Sequence, residues 1–374
     1  MPKVSVIMPA YNAERFIGAA IKSVLAQTFH DWELIIVNDG STDGTSKIIA
    51  EFTDERIRAA SQENLGEAAA RNAGLAQAAG EYIAFLDADD LYLPTGLADL
   101  VSYLDDHAEF GVVFSDGYVC DEEGHALMRL TEHRPAIYTG DILEPIVLDA
   151  GILTVPSCTM VRRHIIVSHQ ICFDHGLRWG ADWDFWIQMA RCTHFGYLDR
   201  LTCMYRVHSQ NVTSASGWDK RRQGLLIGRM KVLQSDWFCQ LSPQTRYLFL
   251  HQVIIRYLKD EPDRQFGLLS MPQVSDLPGH MQAALWRQAG GMLLQKNSQA
   301  GRARLFLEEA LRRFPADQKT RILLRLTRFD RRLSWLVWDG WQKINAAVTW
   351  LRGLGKHRSR PIPHQFKKPQ AATR

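Results

Sequence analysis

Short apolar runs alternate with amphipathic stretches along the first 120 residues of the chain. The nearly continuous apolar runs are Val4–Met8, Leu34–Val37, Tyr82–Leu86 and Gly111–Phe114, with a weaker one at Arg56–Ala60. Between them lie stretches with helical spacing, at Ala13–Gln27, Thr45–Phe52, Glu67–Ala79 and Gly96–Asp106. Continuous apolar runs are typical of strands that are buried on both faces of a sheet. The alternation therefore predicts an α/β fold with a doubly wound, mostly parallel sheet.

The pattern changes in the second half of the chain. We expect an irregular excursion over residues 121–150 and a strand at Gly196–Tyr205. Helical spacing then dominates, at Asp219–Leu241, Pro243–Lys259, Met281–Gln295, Arg302–Phe314 and Gln318–Phe329. This organisation predicts an α/β domain over residues 1–215, a helical domain over residues 216–330 and a tail over residues 331–374.

Composition places the chain among ordinary globular proteins, with 46% hydrophobic and 23% charged residues. None of the six cysteines forms a Cys-x-x-Cys pair, so a zinc site is not indicated and reduced thiols in a cytoplasmic protein are expected. Apolar alternation begins at Val4, so no signal peptide is expected. No apolar run reaches about 18 residues, the length that a bilayer-spanning helix needs.

The positive net charge belongs to the tail. Residues 331–374 hold 10 of the 44 Lys and Arg residues but only one of the 41 Asp and Glu residues. Trp335, Trp338 and Trp341 have helical spacing there, and basic residues follow at Lys356, Arg358, Arg360, Lys367 and Lys368. An apolar face beside basic residues suits peripheral binding to the cytoplasmic face of an anionic membrane.

The tail has a second interpretation, in which the Trp side chains pack within the helical domain and the end is a disordered basic segment. Both interpretations stay open. Nucleic-acid binding is not expected, because the charge is confined to the Pro-containing end of the chain and no nucleic-acid-binding module is recognised.

Residues directly after the strands are the candidates for chemistry, because ligands of such sheets bind beyond the carboxyl ends of the strands. Pro9, Tyr11 and Asn12 follow the first run; they form either a simple helix-starting turn or a site where Tyr11 faces a nucleobase. Asp39 follows the second run, where its carboxylate could accept hydrogen bonds from a base or a ribose. Arg71 is either a solvated charge or the partner of a phosphate or base.

The segment Asp87-Ala88-Asp89-Asp90 follows the third long run and carries the most specific signal. Three carboxylates within four residues repel one another unless a positive charge lies among them. Mg²⁺ or Mn²⁺, which prefer oxygen ligands, would relieve that repulsion and bridge to a diphosphate. An acidic cap for the following helix accounts for one or two of the acids but not easily for three, so we favour the metal site.

Together, these loops resemble the family 2 glycosyltransferases with the GT-A fold. Four segments carry the resemblance, in matching order and spacing: residues 4–12 (VSVIMPAYN), 37–43 (VNDGSTD), 64–66 (NLG) with 70–72 (ARN), and 85–90 (FLDADD). The resemblance covers roughly residues 3–213. It implies a GT-A sheet for these residues, and the helical region predicted from the spacing follows that sheet.

The resemblance also implies roles for these residues. Tyr11 would lie near the base with Pro9 and Asn12, and Asp39 would hydrogen-bond the base, usually uracil or a related pyrimidine. Asp87 would lie near the ribose with Arg71 in the nucleotide site. Asp89 would hold the cation, and Asp90 would support the same site.

Two downstream segments extend the resemblance. Residues 180–186 (GADWDFW) resemble a segment in which Gly-Glu-Asp precedes an aromatic residue and an acid. The Asp of that pattern supplies the catalytic base, here Asp182, with Asp184 in support; Ala181 stands where Glu is usual. In residues 205–211 (YRVHSQN), His208 would contact the metal or the diphosphate and Arg206 would offset phosphate charge.

The implied function is inverting transfer of a sugar from a nucleoside-diphosphate sugar to a hydroxyl group of a glycan or lipid-linked acceptor. Cell-surface polysaccharide or glycolipid synthesis is the expected setting, by analogy alone. The alternative is a catalytically silent module that binds sugar nucleotides or glycans, for which Ala181 is the only support. A nucleotidylyltransferase would need a Gly-rich phosphate loop after the first strand, where Pro9–Asn12 stands instead.

Overall fold

The computed structural model describes residues 1–132, 134, 136–153, 155–209, 211, 218–259, 261–294, 299–329 and 333–343. These residues form two compact units, one that ends at Trp218 and one that begins at Asp219. The first unit is built on a nine-stranded sheet and the second is helical. The predicted α/β sheet followed by a helical region is confirmed.

The strands of the sheet are β1 Val4–Ala10, β2 Trp32–Asp39, β3 Ile57–Gln62, β4 Tyr82–Phe85, β5 Leu91–Tyr92, β6 Phe110–Cys120, β7 Ala126–Arg129, β8 Thr159–Arg162 and β9 His194–Arg206. Their order is β3-β2-β1-β4-β8-β6-β9-β5, with β7 paired to β6. The first four neighbours are parallel, as is β9 beside β6, whereas β8, β5 and β7 run antiparallel to their partners. The predicted apolar runs therefore became the four parallel strands β1 to β4 and part of β6.

Helices cover the sheet where amphipathic stretches separate the strands. In the first unit they are α1 Ile17–Leu25, α2 Thr45–Ala50, α3 Glu67–Gln77, α4 Gly96–Asp106, α5 Leu143–Leu148, α6 Arg163–His169 and α7 Ala181–Ala190. Their apolar faces and the strands form one core, in which Ile21, Leu34 and Leu100 are fully buried. Burial of such faces supplies most of the stability of amphipathic helices.

Several boundaries differ from the sequence-based prediction. Pro9 and Ala10 belong to β1, and Asn38 and Asp39 are the last residues of β2, because strand pairing continues through them. The prediction of an irregular segment over residues 121–150 is wrong in part, since β7 and α5 lie within it. Here tertiary pairing overrides weak local patterning.

The second unit consists of short helices around its own core. They are α8 Trp218–Gln234, α9 Pro243–Gln252, α10 Pro262–Leu269, α11 Pro272–Ser275, α12 Gly279–Leu293, α13 Ala300–Arg313 and α14 Gln318–Phe329. Trp286 contacts Phe266 and Phe306 at ring-centroid distances of 5.2 and 5.4 Å. The contact with Phe266 is edge-to-face and the contact with Phe306 is tilted, and both add to the burial of the rings.

Part of the predicted tail packs within this helical unit. Residues 333–343 are helical, and Trp338 is buried with its ring against Gly291, where a side chain would collide with the indole. Lys319 lies 5.9 Å from the ring centre of Trp341. Packing of these two Trp residues follows the second interpretation of the tail. Its remaining residues, 344–374, lie outside the described residues, and membrane binding stays a prediction.

Among the described residues, no helix is both long enough and apolar enough to cross a membrane. All six cysteines are free thiols, of which Cys120, Cys158 and Cys203 are buried.

Gly80 allows a close approach at the start of the sheet, and its substitution is a test of this packing. A Cβ atom there would lie 2.5 Å from the backbone nitrogen of Ser5, which is held by hydrogen bonds among Ser5, Glu33 and Gly80. Gly80→Ala should therefore lower the free energy of unfolding by about 2 kcal/mol, measured by urea denaturation. Gly18→Ala, whose Cβ would meet only Ile48 at 3.5 Å, is the matched control. Equal stability of the two variants would contradict this packing.

Candidate active site

The carboxyl ends of β1, β2 and β4 meet at one edge of the sheet. In register, Ala10 lies beside Asn38, and Ile7 lies beside Phe85. Because these strands are parallel, the loops that follow them leave from the same edge. The structure therefore brings together the segments that the sequence singled out.

The first two loops hold each other through hydrogen bonds. Asn12, in the left-handed region at φ 48°, accepts a hydrogen bond from the backbone N–H of Thr42 at 2.8 Å, and its own N–H donates to Ser41 Oγ at 3.0 Å. Tyr11, the neighbouring residue, is 52% exposed. The loop pair thus presents an aromatic ring to solvent on a braced backbone, as a base-contacting residue requires.

Asp39 is buried and organises the loop after β3. Its Oδ1 accepts hydrogen bonds from Gln62 Nε2 and from the N–H of Leu65, at 2.7 and 2.9 Å. Its Oδ2 accepts one from the N–H of Gly66 at 2.8 Å. Each carboxylate oxygen can accept two hydrogen bonds, so Oδ2 keeps capacity for one more. Gln62 is a partner that the sequence reasoning missed, since nothing in the spacing of the chain links it to Asp39.

The acids Asp87, Asp89 and Asp90 follow β4, and one ligand atom from each lies within 4.8 Å of the others. Their surroundings differ. The side chains of Asp87 and Asp89 are 22% and 27% exposed, whereas Asp90 is fully buried. Asp87 and Asp89 are therefore accessible to a ligand, whereas Asp90 is not.

Asp90 ties the acidic loop to two other segments. It accepts hydrogen bonds from Ser157 Oγ at 2.6 Å and from the N–H of Arg206 at 3.0 Å. Burial raises the pKa of Asp90 well above its usual value, and the charges of Asp89 and Asp87 raise it further. Ser157 also accepts a hydrogen bond from the N–H of Asp87, so it fixes both ends of the acidic segment. No motif in the sequence pointed to Ser157.

Asp89 faces the segment after β9. Its Oδ2 lies 3.0 Å from His208 Nε2 and 3.2 Å from Asn211 Nδ2. The His208 ring packs on Phe16 at a centroid distance of 4.5 Å. Asp89 and His208, which were predicted to share a metal site, are therefore neighbours, and Asn211 joins them.

Arg206 supports this site from behind. Its guanidinium donates to the backbone carbonyl groups of Asp89 at 2.8 Å and Glu122 at 2.5 Å, and the side chain is buried. In this arrangement Arg206 holds the backbone at Asp89 and its charge is directed at carbonyl oxygens. The expected contact between Arg206 and a phosphate stays a prediction.

These side chains suit a hard divalent cation. Carboxylate oxygens of Asp87 and Asp89 lie together, and the imidazole of His208 adds a nitrogen. Adjacent ligands of an octahedral ion, each about 2.1 Å from it, lie about 3 Å apart. The 3.0 Å between Asp89 Oδ2 and His208 Nε2 matches that spacing.

Arg71 joins the acidic loop to α7. Its side chain is only 1% exposed, and its two terminal nitrogens bind Asp87 Oδ1 at 2.7 Å and Asp182 Oδ1 at 2.6 Å. Glu67, one helical turn earlier on α3, binds the same guanidinium. Desolvation works against the charged guanidinium, but the surrounding acids outweigh it and raise the pKa of Arg71. Arg71 is therefore a buried bridge and not the solvated charge that was its alternative interpretation.

The acids around Arg71 influence one another. The charge of Arg71 lowers the pKa of Glu67, but desolvation and the charges of Asp87, Asp182 and Asp89 outweigh it and raise that pKa to about 7. Burial likewise raises the pKa of Asp87, with Arg71 opposing the shift. Glu67 is the carboxylate that the sequence reasoning did not single out; its spacing of four from Arg71 was the available signal.

Asp182 lies in the first turn of α7, which begins after Gly180 at φ 85°. Its side chain is 38% exposed. Asp184 is buried and accepts a hydrogen bond from Gln188 at 2.8 Å, so of these two acids the expected base is the more accessible one. Phe185 stacks on Phe173 at 4.2 Å and fixes α7 beneath Arg71, whose guanidinium lies 5.3 Å from the Phe173 ring centre.

Comparison with known proteins identifies the N-terminal part of the chain. Residues 5–168 match the sequence profile of the family described as Glycosyl transferase family 2. The resemblance that the four loops carry is thereby confirmed.

Among curated proteins, the chain is 30% identical over 252 residues to an uncharacterized glycosyltransferase of Rickettsia bellii, covering 67% of this chain and 35% of that protein. It is 46% identical over 102 residues to WfgD of Escherichia coli, covering 27% of this chain and 40% of that protein. WfgD is described as a UDP-Glc:alpha-D-GlcNAc-diphosphoundecaprenol beta-1,3-glucosyltransferase. The chain thus spans less than half the length of these two relatives.

Among solved structures, the chain is similar to S. aureus TarS 1-349 in complex with UDP-GlcNAc. The TM-score is 0.55 at 18% identity, over 91% of this chain and 92% of that one. At this identity the likeness concerns the fold alone.

The buried state of Asp90 gives a pH-dependent test. The pKa of Asp90 is higher in the folded protein than in the unfolded chain, where it is about 3.9. The protonated carboxyl therefore contributes to the free energy of unfolding at low pH, and this contribution is lost as the pH rises above that unfolded-state pKa. Asp90→Asn removes this loss, so its melting temperature should gain on the wild type over the range from about pH 4 upward, measured with a chelator present.

Asp90→Ala is the control for the hydrogen bonds to Ser157 and Arg206, and it should be less stable than the wild type throughout this range. A melting-temperature difference between Asp90→Asn and the wild type that stays constant with pH would contradict a buried, proton-retaining Asp90.

Proposed function

We propose that this chain, whose residues 5–168 belong to glycosyltransferase family 2, transfers a sugar from a nucleoside-diphosphate sugar to an acceptor hydroxyl group with the help of a divalent cation. The proposal depends on one observation: Arg71 joins the acidic loop after β4 to Asp182 on α7, at 2.7 and 2.6 Å. The acidic loop, which suits a cation, therefore lies next to Asp182, a carboxylate that suits the role of general base.

The donor nucleotide would bind over the braced loops at the sheet edge. Tyr11 would contact the base, and Asp39 Oδ2 would accept its hydrogen bond, with Pro9 and Asn12 holding the loop. A single remaining acceptor position suits the one imide N–H of uracil. The name of WfgD, which includes UDP-Glc, supports a UDP-sugar as the donor.

The cation site would consist of Asp89 and His208, with Asp87 beside them and Asp90 and Arg206 in support. A bound Mn²⁺ or Mg²⁺ would offset the charge that develops on the leaving diphosphate. Arg206 and Asn211 keep Asp89 in place through hydrogen bonds to its backbone and side chain.

Asp182 would act as the general base in a single displacement. As the acceptor oxygen forms its bond to the anomeric carbon, Asp182 takes the hydroxyl proton, and the bond between that carbon and the diphosphate oxygen breaks. The electron pair leaves with the nucleoside diphosphate. Attack opposite to the leaving group inverts the anomeric configuration, and no covalent enzyme intermediate is needed. Arg71 holds Asp182 Oδ1, so its second oxygen is the one to accept the proton.

The acceptor is proposed to be a glycan or a lipid-linked sugar in cell-surface polysaccharide or glycolipid synthesis. The acceptor in the name of WfgD, a diphosphoundecaprenol-linked GlcNAc, supports a lipid-linked substrate. We further propose that the enzyme works in the cytoplasm, at the membrane face where such a lipid would be reached.

A catalytically silent binding module remains the competing function, since Ala181 replaces the usual Glu. Retention of Asp182 beside Arg71 favours the enzyme. Release of UDP from UDP-glucose, with Mn²⁺ present and with or without the acceptor, distinguishes them, because a silent module would bind the donor without turnover.

Asp89→Ala should reduce transfer to below about 1% of the wild-type rate, because a cation at a leaving diphosphate contributes several kcal/mol. Calorimetry should also show that the gain in UDP affinity on adding Mn²⁺ is lost. Asp99→Ala on α4, a carboxylate paired with Arg200, is the control. Metal-dependent UDP binding by Asp89→Ala at wild-type strength would refute this assignment.

Asp182→Asn should lower the transfer rate by about 10²–10⁴-fold, the range for loss of a general base. UDP binding with Mn²⁺ should remain within about threefold of the wild type, since the amide keeps the size of the side chain and its contact with Arg71. Rates come from UDP release and affinities from calorimetry. Full turnover by this variant would remove Asp182 from the role of base.

A further inference from the structure

Glu67 is a carboxylate in the cleft that the proposed mechanism does not use. It is the first residue of α3 and binds the buried guanidinium of Arg71. Its side chain is 49% exposed, compared with 38% for Asp182 and 22% for Asp87. Of the three acids on Arg71, Glu67 is therefore the most open to a ligand from solvent.

An ordinary helix-stabilising pair does not account for this arrangement. Pairs of Glu and Arg spaced by four residues usually lie on a solvated helix face and contribute little. Here the arginine is buried and already bound by Asp87 and Asp182. A third carboxylate on this guanidinium places one positive charge among three acidic side chains. Glu67 thus adds repulsion to the site, and a binding role would explain its presence.

The position beside the expected base lacks a carboxylate. Ala181 precedes Asp182 at the start of α7, where the resembling segment usually has Glu. A methyl group cannot accept a hydrogen bond from a substrate hydroxyl. Glu67 reaches the same guanidinium from α3, so it places a carboxylate near Asp182 from another element.

We propose that Glu67 binds a second hydroxyl group of the acceptor sugar, in place of the carboxylate that is missing at position 181. This inference rests on the proposed function. The planar guanidinium of Arg71 holds Asp182 on Nη1 and Glu67 on Nη2, so the two carboxylates are bound to the same cation, and both side chains are partly exposed. One carboxylate takes the proton of the attacking hydroxyl, and the other accepts a hydrogen bond from a neighbouring hydroxyl of the same sugar. The acceptor class is therefore a sugar with two adjacent free hydroxyl groups.

The test is steady-state kinetics with UDP-glucose, Mn²⁺ and a short-chain lipid diphosphate that carries N-acetylglucosamine, together with a panel of p-nitrophenyl glycosides. For the acceptor on which the wild type is fastest, Glu67→Ala should raise the acceptor KM by about tenfold or more, the effect of losing a hydrogen bond to a charged group. The KM for the donor should change by less than about twofold.

The double variant Glu67→Ala/Ala181→Glu should recover most of the acceptor affinity, because it returns a carboxylate to the side of Asp182. Glu309→Ala is the matched control, since Glu309 also pairs with an arginine four residues later, Arg313, but in the helical unit. If Glu67 had only a structural role, Glu67→Ala would lower the melting temperature without raising the acceptor KM more than the donor KM. Adding Ala181→Glu would then not improve the acceptor KM.

Two outcomes separate this inference from the proposed function. Wild-type protein that transfers to no acceptor and does not hydrolyse the donor would count against the proposed function. Wild-type transfer with an unchanged acceptor KM in Glu67→Ala, or an equal loss for donor and acceptor, would overturn the role of Glu67 and leave the function standing.

Discussion

The buried guanidinium of Arg71 is the interaction on which the rest of the cleft depends. A charged group without access to water is tolerated only when opposite charges and hydrogen bonds replace the lost solvation. The helix α3, the end of β4 and the first turn of α7 each provide one acid to this group. Three elements that are far apart in the chain are thereby held in one geometry. The aromatic contact between Phe173 and Phe185 supports that geometry from below.

The same principle separates the acids after β4 by role. The sequence suggested that a cation relieves the repulsion among these three carboxylates. In the structure each has a partner of its own: Arg71 for Asp87, His208 for Asp89, and Ser157 for Asp90. Burial also raises the pKa of Asp90, which favours its neutral form. A cation would therefore meet two accessible acids and one imidazole, while Asp90 keeps the loop in shape.

Local patterning was sufficient for the parallel half of the sheet. The predicted runs that became β1, β2, β4 and β9 have the right type, and α4 has the predicted bounds, because buried strands and amphipathic helices carry their periodicity in sequence. The sequence pattern did not predict the short strands that form only through pairing with another strand. The two-residue β5 exists through its pairing with β9, and β7 through its pairing with β6.

The site shows the same division between local and distant information. The acidic segment and Asp182 could be named from short motifs, whereas the contact between Arg71 and Asp182 joins residues that are 111 positions apart. No spacing rule predicts such a contact, and Ser157 and Gln62 were missed for the same reason. The function of Arg71 as a bridge emerges only when burial and partner atoms are known.

The brace between Asn12 and residues 41–42 has a consequence for redesign of the protein. Asp43 and Glu14 add two more cross-links, since each accepts a hydrogen bond from the opposite loop's backbone. Transplanting one of these segments from a relative would leave its counterpart with orphaned donors. A loop graft meant to change nucleotide preference therefore has to move both segments as one cassette.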